Sequence, residues 1–241
     1  MRIPLLIPAA AAVCLLAACS RSTSDSTPPP TFDFVAEAQR VVPSAVLTVE
    51  DLTGFEPQDV GALKEQAALS AECNVFDAAT VFADAAATAE SDPFLGPGDQ
   101  QIFNHAAIYK TAEEASAGIA DTQAVLDRCE DEFKEVVERI ARDELERLGI
   151  ELGLFSSIDV TIAYIDPPAA GDEILGYRMN VTVDLVIARQ EYNLDVAFLR
   201  VGRVAGAVML GTFGSINLSN QVSLLDRAEA RLAGAEEALP E

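Results

Sequence analysis

Hydrophobic and polar positions along this chain repeat with two different periods, and the switch between them divides it in two. From Thr111 onward, Ala115, Ile119, Thr122, Leu126, Cys129, Phe133, Val136, Ile140, Leu145 and Leu148 recur at helical spacing. Thr111 followed by Glu114 has the capping-box arrangement that starts a helix, and Gly149 is a natural stop. Nearly 40 residues is long for one globular helix, so the pattern predicts a break near Cys129.

Beyond Gly149 the period falls to two. Val160, Ile162 and Tyr164 alternate with Thr161 and Ala163 in one strand, which Asp166-Pro167-Pro168 ends. In the next strand Tyr177, Met179, Val181, Val183, Leu185 and Ile187 face one way. Arg178, Asn180, Thr182 and Asp184 face the other. Ala188 to Glu191 reads as a turn into Tyr192, Leu194, Val196 and Phe198, with Asn193 and Asp195 opposite. Gly202-Arg203 fits a two-residue hairpin turn that begins with glycine, leading into the more apolar strand Val204 to Phe213. Leu218, Val222, Leu225, Leu232 and Leu239 mark a C-terminal amphipathic helix.

The N-terminal half is less regular. A short helix is expected over Ala36 to Val42, a strand over Ala45 to Val49 and a helix over Pro57 to Ser70. Asn74 to Glu90 suits helix or strand, Ser91 to Asp99 reads as a loop, and Gln101 to Tyr109 as a strand. These elements predict an α+β domain: a single antiparallel β-sheet with helices packed mainly on one face.

The first 31 residues have another character. Arg2 precedes an apolar stretch, Ile3 to Leu16, that Pro4 and Pro8 interrupt, and Leu16-Ala17-Ala18-Cys19 closes it. The stretch suits a cleaved leader over 1–18 better than a membrane span. Small residues before a cysteine resemble a bacterial lipobox, in which Cys19 carries a diacylglyceryl group and becomes the mature N-terminus. Two or more acyl chains, at ~0.8 kcal/mol per buried methylene, anchor a protein stably. Residues 19–31, with Ser20 to Pro30 reading SRSTSDSTPPP, form the expected flexible tether to a domain over 32–241. The expected address is the extracytoplasmic side of the cell membrane.

Once Arg2 leaves with the leader, 15 basic side chains stand against 39 acidic ones. Such a polyanion is repelled by nucleic acid and by anionic surfaces, so no nucleic-acid partner is expected. Cys73 and Cys129 are the two cysteines left after Cys14 and Cys19, an even pair in an oxidising compartment, which predicts a disulfide. One distant histidine does not complete a zinc site with them.

Three passages resemble the extracellular sensor domain of mycobacterial PknH-type receptor kinases and related actinobacterial lipoproteins. They are Ala45 to Leu52, Ala107 to Ala115 with Cys129 beyond it, and Phe198 to Val204. An arginine count of 13 against 3 lysines fits the GC-rich genomes of that group. The resemblance implies a central antiparallel sheet with a cleft for an extracytoplasmic ligand. It also implies four cysteines in two bridges and a tryptophan before the helix cysteine. This chain offers only Cys73 and Cys129, has no tryptophan, and carries no kinase domain.

Catalytic motifs are not legible. His105, the only histidine, reads as structural, and no nucleophile elbow, zinc-protease helix or phosphate-binding loop is present in the sequence. A hydrolase working with a carboxylate pair is the enzymatic alternative. Glu130, Asp131, Glu132, Glu135 and Glu138 lack the ligand pattern of a calcium loop and read as a solvated helix face.

The sharper expectation concerns the sheet. If Ala188 pairs with Glu191, then Asp184 and Asp195 fall directly opposite, an unfavourable like-charge pair unless bridged or protonated. Arg178, Asn180, Thr182, Asp184, Asn193 and Asp195 would then form the polar floor of a ligand cleft. The sequence thus predicts a binding module without cofactor or metal, whose ligand is a small molecule, glycan or lipid of the envelope. A lipid carrier, or a subunit that meets an envelope protein through Val204 to Phe213, is the alternative.

Overall fold

A computed structural model describes residues 32–58, 69–70, 73–74, 77–147, 155–186 and 188–240. The leader, Cys19, the tether and most of the helix expected over Pro57 to Ser70 lie outside them, as do Leu148, Gly149 and Ile187. The folded unit runs from Asp33 to Glu241.

Asp33 starts it by accepting from the Val35 and Ala36 N–H groups, which caps α1 (Phe34–Val41). A 3₁₀ turn follows at Val42–Ala45, with Pro43 in its first positions. The strand expected over Ala45 to Val49 does not form. Proline sets a helical φ just before it, and the Leu47 N–H donates to the Asn104 Oδ1 side chain at 2.8 Å instead of to a neighbouring strand. Asn104 is fully buried and satisfied, since its amide also donates to the His105 and Ala207 carbonyls.

The stretch from Asn74 to Glu90 contains both structures the sequence allowed: α2 (Ala78–Val81) and β2 (Ala87–Glu90). Short strands β1 (Glu56–Pro57) and β3 (Phe94–Leu95) follow the loop signals around them. The strand expected from Gln101 is β4 (Gln101–Ile108). Helix α3 (Ala112–Arg147) is continuous through Cys129, contrary to the break expected there. After Gly118 it contains no glycine or proline, so nothing in its sequence interrupts the hydrogen-bond ladder. At about 1.5 Å per residue it is long enough to carry the chain across the whole sheet.

Strands β5 (Phe155–Ile165), β6 (Glu173–Leu185), β7 (Ala188–Val201) and β8 (Val204–Phe213) precede α4 (Leu218–Ala238). All eight strands form one antiparallel sheet, in which β1-β3-β4-β8-β7-β6-β5 is the main path and β2 shares the outer edge of β4 with β3. The α+β class and the single antiparallel sheet are therefore as expected. Gly202 takes φ +58° at the β7–β8 turn, where Val201 pairs with Val204.

The helices divide between the two faces rather than gathering mainly on one. On one side α1, the 3₁₀ turn and α4 pack over Ile102, Leu199, Val204, Val208 and Leu210. On the other, α2 and α3 pack over Ala107, Tyr177, Phe198, Ala205 and Ala207. Alternate residues of β8 enter both cores, which explains why its two faces are equally apolar. The strand offered as a protein-docking patch is thus interior, with only Phe213 at its end exposed.

Candidate functional site

The β6–β7 pairing corrects the sequence expectation. Leu185 pairs with Ala188, so Asp184 lies opposite Arg189 and Asp195 opposite Arg178. The strands turn between Leu185 and Ala188, where no glycine, asparagine or aspartate announces a turn. The like-charge pair therefore does not exist; the register places each acid against an arginine.

The six polar residues do share one face, but they are spent on one another. Arg178 Nε and Nη2 donate to Asp195 Oδ1 and Oδ2 at 2.6 and 2.7 Å. Gln221, from the first turn of α4, donates to Asp195 Oδ2 at 2.8 Å and helps to seal the carboxylate, which is 2% exposed. Asn180 donates to Asn193 Oδ1 at 3.0 Å, Thr182 to Asn180 Oδ1 at 3.0 Å, and Asn193 to the Gly214 carbonyl at 2.7 Å. Asp184 sits apart, accepting from Ser157 at 3.3 Å, with Arg189 at 3.9 Å. This array docks α4 and the β8–α4 connection onto the sheet.

A cleft lies on the other face, where no site was expected. It encloses about 540 Å³ between the chain after α2 and the first turns of α3. Asp77 caps α2 by accepting from the Ala79 N–H, and the helix ends at Phe82, which is buried. The Ala86 N–H then donates to the Ile108 carbonyl at 2.8 Å, returning the chain to the sheet as β2. Across the cleft, the Thr122 hydroxyl lies 2.9 Å from both the Val81 and Gly118 carbonyls and ties α3 to the end of α2. Half of the capping box forms at the start of α3: the Glu114 N–H donates to Thr111 Oγ1, while the Glu114 carboxylate accepts from the Lys110 N–H, one residue before the cap.

Tyr109 is the floor. Its side chain is 1% exposed, and none of the described residues hydrogen-bonds its hydroxyl. The hydroxyl rests on Gly118, where a Cβ would fall only 2.2 Å from it. Burial, with the charges of Asp84 and Asp121, pushes the phenol well above its usual pKa, so it remains neutral. A buried hydroxyl without a partner costs about 1–3 kcal/mol. Asp84 and Asp121 stand exposed at the mouth, and alanine and valine make up half of the lining. One signal in the sequence does point here: Gly118 is a solitary glycine inside a strong helical pattern, a sign of close approach.

The remaining expected residues fall as follows. Cys73 and Cys129 are joined in a disulfide, with Cα atoms 5.7 Å apart, and Cys129 packs with Phe133 and Leu126. His105 is fully buried in β4, its ring edge-on to Phe103. Of the acidic residues on α3, Glu130 pairs with Lys134, and Glu132 accepts from both the backbone and the hydroxyl of Ser70. Among the described residues no group of three or more His, Cys, Asp or Glu side chains is placed to hold a metal. No helix among them is long and apolar enough to cross a membrane.

No family model matches the chain, and no curated protein does. Among solved structures it is similar to the extracellular domain of PknH from Mycobacterium tuberculosis. The identity is 12% and the TM-score 0.45, over 83% of this chain and 97% of that one. This is a distant structural resemblance.

Proposed function

We propose that this chain is a lipid-anchored extracytoplasmic module that binds a small molecule in the cleft over Tyr109, and that it binds rather than catalyses. The leader that ends just before Cys19 and the disulfide between Cys73 and Cys129 support the address. The observation that carries the binding reading is the cleft itself, which lies between the chain after α2 and the first turns of α3. Its volume falls within the roughly 300–1,000 Å³ of small-molecule sites.

Native mass spectrometry of the domain from residue 31 onward, purified gently from its own host, tests this reading. A discrete adduct that disappears on denaturation is the expected result. A bare mass, together with no response of Tyr109 to a library of small molecules in solution, overturns it. The anchor is tested separately. Cys19→Ala should move the protein from the membrane fraction to the soluble one and abolish incorporation of labelled fatty acid.

A further inference from the structure

The two edges of the sheet are finished differently. One is divided among β1, β2 and β3, of two, four and two residues, and α1 and the 3₁₀ turn pack against β2. The other is β5, 11 residues long, which among the described residues pairs only with β6. A register shift between Phe155 and Ser157 disturbs its start, but Ile158 to Ile165 run in unbroken register against Val183 to Gly176. In an antiparallel ladder every second residue turns its N–H and C=O away from the paired strand. This stretch therefore presents a row of backbone donors and acceptors about 27 Å long. Edge strands are commonly guarded by proline, lysine or brevity. Ile158 to Ile165 contains no proline and no lysine, and its one charge is Asp159.

The surroundings decide which strand such an edge accepts. Ile162 packs against the cluster of Cys129 and Phe133 on α3, and the Tyr164 hydroxyl donates to Asp127 Oδ1 at 2.7 Å, so α3 runs beside the edge. From Asp127, exposed acids recur at four-residue spacing at Asp131 and Glu135, along one flank of the helix. Asp159 stands exposed on the opposite face of β5. Lys134 pairs with Glu130, and Arg178, opposite Ala163, pairs with Asp195, so these two bases are already committed to acids.

We propose that β5 accepts a further strand from a protein partner: an extended, lysine- or arginine-rich segment that pairs with Ile158 to Ile165. Its charges then lie beside Asp127, Asp131 and Asp159. The backbone row supplies the hydrogen bonds, and the acids select the sign of the partner. A second copy of this chain offers an equally long edge but brings its own formal charge of −23, which opposes the pairing. None of the residues lining the cleft belongs to β5, so the two sites stand or fall separately.

Three end-blocked octapeptides test the edge: KTVKVTVK, its acidic counterpart ETVEVTVE, and KTPKPTPK, which keeps the charge but loses backbone donors to proline. Each is titrated into the chain from Ser20 to Glu241, which contains the whole unit that begins at Asp33. KTVKVTVK is expected to shift the amides of Ile158 to Ile165, slow their hydrogen exchange, and bind at least tenfold more tightly than either of the others. Its binding should weaken as salt rises. Thr161→Lys with Ala163→Lys, at two exposed positions, should weaken it at least tenfold. The peptide controls use the unaltered chain, so the outcome does not hang on the folding of that variant. Equal binding of KTPKPTPK reduces the interaction to charge and overturns strand addition. Equal binding of ETVEVTVE overturns the choice of a basic partner, and no shift in β5 with any of the three overturns the site. A dimer in sedimentation that the two lysines dissociate makes a second copy the occupant, and overturns the proposal as well.

Discussion

Arg178 and Asp195 face each other across β6 and β7 and share two parallel hydrogen bonds, yet their surroundings differ sharply. The arginine side chain is 42% exposed and the carboxylate 2%. Gln221 reaches the carboxylate from α4, so one buried charge joins two strands to the C-terminal helix.

That asymmetry decides which partner is harder to remove. Arg178→Ala leaves a buried carboxylate with Gln221 as its remaining side-chain donor, a situation that costs about 3–5 kcal/mol. Asp195→Asn leaves an arginine that water can reach, and should cost about 1–2 kcal/mol. Urea unfolding of the two variants checks the order. Equal losses would mean that burial of the carboxylate does not govern this site.

The same pair shows what the sequence could and could not tell. Period-two alternation made β6, β7 and β8 legible, because each side chain's face follows from the pleat alone. Register depends on the turn as well, and Leu185 to Ala188 turns without any turn-forming residue, while the polar Arg189, Gln190 and Glu191 imitate one. A three-residue error in the turn put Asp184 opposite Asp195 and created a repulsion that the structure does not contain. The long helix was legible from its 3.6 period; its continuity past Cys129 was not, because expected length was allowed to outweigh a sequence without breakers. The cleft was hidden for another reason. Asp84, Tyr109 and Asp121 come from a loop, the end of β4 and α3, and no local pattern brings them together.

Reduction of the disulfide should act mainly through the unfolded chain. Cys73 and Cys129 are separated by 56 residues, and closing such a loop stabilises by ~4 kcal/mol in the chain-entropy model. Cys73→Ala with Cys129→Ala is expected to lower the unfolding free energy by about 2–4 kcal/mol, with unchanged far-ultraviolet circular dichroism at low temperature. A loss below about 1 kcal/mol would show that the unfolded chain is already restricted there.

Asp51 links the segment after the 3₁₀ turn to α4 and makes part of the stability sensitive to acid. Burial pushes its carboxyl up. The Thr48 N–H at 2.7 Å, Arg231 Nε at 2.9 Å, the Thr48 hydroxyl at 3.0 Å and the Arg231 charge outweigh that and hold it below the usual carboxylate value. A depressed folded pKa stabilises above the unfolded value, near 3.8, and the contribution disappears as pH falls through the folded value. Stability measured from pH 6 down to pH 2 should therefore decline less steeply in Asp51→Asn than in the parent. Parallel curves would remove Asp51 as a source of acid sensitivity.

Gly118 sets how closely α3 approaches Tyr109, and its replacement places two effects in opposition. In an isolated helix Gly→Ala stabilises by about 1 kcal/mol. Here the added methyl falls 2.2 Å from the Tyr109 hydroxyl oxygen and 2.6 Å from the ring carbon that bears it. The ring packs against Ala115 and Ile119, and its hydroxyl is already in contact with Gly118. Overpacking of this kind costs about 1–3 kcal/mol, so Gly118→Ala should be net destabilising by about 1 kcal/mol. In a Tyr109→Leu background the obstructing hydroxyl and ring are gone, and the same substitution should become stabilising. A double-mutant cycle by urea unfolding reads this reversal as a coupling energy of 1 kcal/mol or more. Additive effects would show that α3 can retreat from the sheet, and would take away the close contact on which the shape of the cleft depends.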